Sequence, residues 1–140
     1  MATRAVLAFV VILAVAALTS FYVSSLWSDT VLVGRTFSST SEWWSPLHLL
    51  DLVDECVLLF ISGVVFALAA MLSQPLLWGL GLGAAFCAFR FALGSNWFSA
   101  EASVSTYVWA FSSYYIPVAF GGLGTLVGSA WRRRGVVRAA

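Results

Sequence analysis

The sequence predicts an all-α fold, an integral membrane bundle of four transmembrane helices with both termini cytoplasmic, and three observations lead there. Of 140 residues, 61% are apolar and 9% charged, against about 45–50% and about 25% in an average soluble domain. Four stretches approach the roughly 20 mainly apolar residues that a bilayer-crossing helix needs. Five of the seven basic residues, all arginines, sit beside the outermost of those stretches, at 4, 132, 133, 134 and 138. This composition excludes a water-soluble enzyme or nucleic-acid-binding domain. Its formal charge of +1 leaves no broad basic field for nucleic acid.

The first helix is predicted at about 5–27. It opens AVLAFVVILAVAAL and closes with Phe21, Tyr22 and Trp27, aromatics suited to a membrane interface. Ala14-Val15-Ala16 also matches a signal-peptidase site, but the apolar run continues to Val23, which favours an uncleaved signal anchor. The second helix is predicted at about 47–72. Ser73-Gln74-Pro75 turns the chain, and Pro75 opens the third helix, about 75–94, because a first-turn N–H would be unpaired in any case. The fourth is placed at about 104–131, with Pro117 either kinking one long helix or starting a shorter one near Tyr114. The segment from Thr106 to Tyr115 is thus an interfacial helix or the outer part of the fourth.

Cytoplasmic flanks carry the excess of arginine, so Arg4 and the Arg132–Arg134 and Arg138 cluster place both ends inside. The loops from Ser28 to Pro46 and around Glu101 then face outward. The pair Trp43-Trp44 suits an aromatic anchor there, and the WRRR run attracts anionic lipid at about 1 kcal/mol per arginine. The chain reads as one membrane domain in the cell membrane, with the lipid bilayer as its first partner. Phe21–Trp27 resembles Phe91–Trp97, and Trp43–Pro46 echoes Tyr114–Pro117. These matches suggest a weak tandem hairpin repeat, 1–70 and 71–140, although abundant aromatics and serines produce such matches without duplication.

Small residues recur at four-residue spacing. Gly79 and Gly83 form one such face and Gly124 and Gly128 another, with Gly81/Ala85, Gly121/Thr125 and Gly63/Ala67 in the same pattern. In lipid, close packing of small faces supplies much of the association between helices. These faces serve either the bundle itself or contact with a second protomer or another membrane protein.

The unusual polar group opens the second helix. At about 100° per residue, with Asp51 at zero, Glu55 falls at about 40°, His48 at about 60° and Asp54 at about −60°. Arg90 lies about 7–8 Å from the outer end of the third helix and Glu55 about 9 Å into the second. An antiparallel hairpin brings them to one depth. Ionisable groups there face a bundle interior or a wet cavity. The pair is either a clamp between helices or, with the surplus carboxylates, a proton- or cation-binding site. A metal centre is not expected, because a transition-metal site gathers several His or Cys and only one His is present. No GxGxxG, P-loop, GxSxG or HExxH occurs, no cofactor is implied, and no nucleophile stands beside a base.

The favoured function is therefore a non-enzymatic assembly or accessory subunit, joined to itself or to another membrane protein. The alternative is a small proton- or cation-coupled transporter or channel using Asp51, Asp54, Glu55 and Arg90.

Overall fold

A computed structural model describes residues 2–30, 46–93 and 104–139. They form four helices: α1 (Ala2–Thr30), α2 (Pro46–Ala69), α3 (Pro75–Leu93) and α4 (Val104–Ala139). Successive helices run in opposite directions, so α2 and α4 are parallel to each other and antiparallel to α3. Two helices are long and apolar enough to cross a membrane, with spans Thr3–Val23 and Leu52–Ala69, and the apolar stretch Pro75–Arg90 of α3 is shorter. The loop residues Arg35, Glu42, Trp43, Trp44 and Glu101 lie outside the described residues. So do Trp97 and residues 43–45, on which the internal resemblance depends.

Helix ends follow local chemistry. α2 stops at Ala69, three residues short of the sequence expectation, because a proline at 75 pushes the residue before it out of helical geometry and the intervening residues must turn. The Gln74 carbonyl accepts from the Trp78 N–H at 3.2 Å, which is the opening bond of α3. The Arg132 guanidinium donates to the Leu68 carbonyl at 3.1 Å, where the last carbonyls of α2 lack helical partners and the negative end of the dipole favours a cation. α4 runs on past Trp131 through Arg132, Arg133 and Arg134 to Ala139, since arginine is a good helix former. Pro117 lies inside that helix and neither starts a new one nor ends it. Pro117 is fully buried, so packing holds the turn where a backbone hydrogen bond is missing.

The bundle centres on α4, which packs far more extensively against α2 and α3 than those two pack against each other. Glycine makes this possible. A Cβ on Gly63 would come within 2.9 Å of the Thr125 nitrogen, one on Gly128 within 2.6 Å of the Val64 carbonyl oxygen, and one on Gly124 would collide with the Phe60 carbonyl oxygen. On the α3 side, a Cβ on Gly83 would lie 2.7 Å from Val118 Cα and one on Gly121 would lie 2.8 Å from the Gly79 carbonyl oxygen. Backbones therefore touch along two seams. The Thr125 hydroxyl, fully buried, sits between them, 2.7 Å from the Pro75 carbonyl oxygen and 2.9 Å from that of Gly122.

Gly81 departs from this pattern. Nothing lies within 4 Å of the position its Cβ would take, so its four-residue spacing to Ala85 does not make a seam. Gly81→Ala is expected to leave thermal stability in detergent unchanged or raise it by up to about 1 kcal/mol, the helix-interior difference between glycine and alanine. A loss of stability would show that Gly81 meets a neighbour after all.

α1 packs against α2 and α3 and has little contact with α4. Near its start, Phe9, Phe66 and Trp78 meet edge to face with ring centroids 5.8–6.0 Å apart, alongside buried Ala5, Ala70 and Leu82. Further along, Ala16 packs with Leu59, Phe86 and Cys87, and Val118 of α4 closes this second cluster. The rest of α1 is open: its span is 6% buried, with Leu7, Leu18 and Phe21 among the exposed side chains.

Candidate functional site

The polar residues of α2 converge at the end of the bundle formed by the start of α2 and the end of α3. The 70–74 turn makes these helices antiparallel, so a residue early in one meets a residue late in the other. Glu55 Oε1 forms an ion pair with Arg90 Nη1. Glu55 is buried, at 4% exposure, whereas 30% of the Arg90 side chain remains accessible. One helical turn further into the bundle on each helix, Leu59 and Phe86 are fully buried in an apolar cluster. A lone charge would be costly there, and the pair is kept by mutual neutralisation.

Asp54 precedes Glu55 by about 100° on the helix and so points elsewhere. It is half-buried and faces a groove between α1 and α2 with a volume of about 190 Å³. Thr19 and Ser20 of α1 also line this groove, while Val57 and Ile61 of α2 form its apolar walls. Glu55 also lines it, with Arg90 engaging the carboxylate from the α3 side. Two carboxylates and one guanidinium therefore sum to −1 among the described side chains at this level.

His48 and Asp51 belong to α2 by backbone, but their side chains lie outside the described residues. Gly79, Gly83, Gly124 and Gly128 are remote from the polar group and belong to the seams around α4. Cys56 and Cys87 are buried and form no disulfide. Among the described residues no three His, Cys, Asp or Glu side chains gather so as to hold a metal ion.

Thr19 and Ser20 escaped the sequence reading, which weighed α2 only against α3. They are the first hydroxyls after fourteen consecutive apolar residues, 5–18, and that interruption was the available signal. Comparison with protein-family models, with characterised proteins and with solved structures finds no match to this chain, so the site stands on its own geometry.

Proposed function

We propose that this chain is a small multi-pass protein of the cell membrane, all four helices crossing the bilayer with both termini cytoplasmic, and that it acts as a non-enzymatic assembly or accessory subunit. The observation that carries the reading is the contrast between its parts. α2, α3 and α4 use their glycine faces on one another, whereas the apolar span of α1 is 6% buried. The three-helix unit thus carries α1 by one face, through Ala5 and Ala16, and the other face, with Leu7, Leu18 and Phe21 exposed, is turned to lipid and to partners. The exposed Arg4, Arg133 and Arg134 at the opposite end from Glu55 support the orientation, since cytoplasmic flanks carry arginine.

The test is cross-linking in native membranes from a cysteine placed on α1. Leu18, 70% exposed, is a suitable position, and Leu123 on α4, 49% exposed, is the control. Leu18→Cys is expected to give discrete higher-mass species that Leu123→Cys does not. No adduct from α1, together with a monomer in mild detergent, would sink the assembly reading.

A second reading, a small proton- or cation-coupled transporter or channel, draws on the groove that both Asp54 and Glu55 line, with Asp51 and Arg90 near the same level of the helices. Liposome flux that disappears in a well-folded Asp54→Asn variant would favour it over assembly.

A further inference from the structure

We infer that an anionic phospholipid occupies the outward face of α4, its phosphate held by Arg134 and its acyl chains lying along Trp131, Val127 and Leu123. The inference rests on the chain being a multi-pass membrane protein, and it names a lipid site on that protein.

The register of α4 against α2 sets the level. Gly124 abuts the Phe60 carbonyl and Gly128 the Val64 carbonyl, and the Arg132 guanidinium donates to the Leu68 carbonyl, so each residue of α4 lies beside the α2 residue 64 positions earlier. Trp131 is therefore level with Ala67, and Arg134 with Ala70. The apolar span of α2 closes at Ala69. An indole thus stands within the last turn of the span, where interfacial tryptophans lie, and a guanidinium stands at headgroup level just beyond it.

The three arginines of the run do not act alike. With Phe120 at zero and about 100° per residue, Leu123, Val127 and Trp131 fall at about −60°, −20° and +20°, and Arg134 falls among them at about −40°. All four are exposed. Arg132 falls at about +120°, on the side of the glycine seams, and its bond to Leu68 engages it with α2. Arg133, at about −140°, is exposed but lies off the stripe. One arginine of the three is therefore placed to hold a phosphate at the head of an apolar track. A guanidinium meets phosphate through paired N–H donors, and four-residue steps of about 6 Å let the track follow an acyl chain.

Charge selects lipid over protein as the occupant. Residues 1–28, 56–100 and 102–140 contain no Asp or Glu, so no carboxylate side chain of the described helices neutralises Arg134 at this end. A second copy in the same orientation would bring its own arginines to the same level, and no acid. Helix α1 of the same chain has little contact with α4 and leaves the stripe open.

The experiment places a bimane fluorophore on Leu126→Cys, an exposed position beside the stripe, while Cys56 and Cys87 are buried and escape the label. The full chain is reconstituted in phosphatidylcholine vesicles containing acyl-brominated phosphatidylglycerol or acyl-brominated phosphatidylcholine, and quenching by each lipid gives its association at this face. Phosphatidylglycerol is expected to associate about fivefold more tightly, the gain that one arginine near a membrane surface provides. Arg134→Gln should abolish that preference, whereas Arg4→Gln and Arg132→Gln, which remove the same charge from the same end, should keep it. If Arg132→Gln does not fold, Arg4→Gln alone carries the comparison. Equal falls in Arg4→Gln and Arg134→Gln overturn the inference in favour of a diffuse surface field. A preference that inorganic phosphate at the concentration of the lipid removes overturns it in favour of a free-anion site. Equal quenching by the two lipids overturns it too, while leaving α4 in the bilayer. Quenching by aqueous iodide and by neither lipid would bring down the multi-pass reading, and the inference with it.

Discussion

Gly124→Leu is expected to cost about 3 kcal/mol or more, the upper end of what overpacking does. The obstacle is the Phe60 carbonyl, against which any Cβ at 124 collides. A flexible side chain could swing aside, but a helix backbone moves only by separating the helices, and that separation would also pull Gly128 from Val64 and Ala67. The measurement is the unfolding midpoint as a denaturing detergent is titrated into a mild one. Gly124→Leu should shift it far to lower denaturant, whereas Gly81→Leu, facing open space, should hardly move it. Equal shifts would mean that the α2–α4 seam is not the stabilising contact.

The second large effect belongs to the ion pair. Removing one partner of a buried pair leaves an uncompensated charge and typically costs about 3–5 kcal/mol, while replacing both is often neutral. Burial predicts an asymmetry here. Arg90→Gln strands a carboxylate at 4% exposure, but Glu55→Gln leaves a guanidinium whose side chain is 30% exposed and solvated. Arg90→Gln should therefore be the more damaging single change, and the double variant Glu55→Gln/Arg90→Gln should recover most of the loss. A thermodynamic cycle over the four proteins reads the coupling directly. If the losses of the two single variants simply add in the double, the two residues are not a unit.

That the chain makes four helices was legible from its apolar stretches together with the break at Ser73-Gln74-Pro75, while the extent of the fourth, which runs to Ala139, was not. The level shared by Glu55 and Arg90 followed from counting residues along two antiparallel helices, and the structure places their side chains in contact. Pairing of the glycine faces was not legible. Spacing of four says that a face is narrow but not which partner it meets, so Gly63 against Gly121 and Thr125 had no sequence signature, and Gly81 shared the spacing without the contact. Pro117 was ambiguous for a related reason: a missing backbone bond is tolerated where surroundings compensate, and burial at 117 is a property of the whole bundle. The groove required knowing that α1 lies beside α2 at Asp54, a tertiary fact that periodicity does not encode.

The central position of α4 bears on how the protein is made. α2 and α3 are joined by a short turn yet touch each other little, and both depend on seams that only α4 completes. Because α4 follows them in the chain, the hairpin leaves the ribosome before its binding surface exists, and its glycine faces stay uncovered in the meantime. A ribosome that stops before residue 121 would release the earlier helices without the α4 glycines against which Gly63, Gly79 and Gly83 pack.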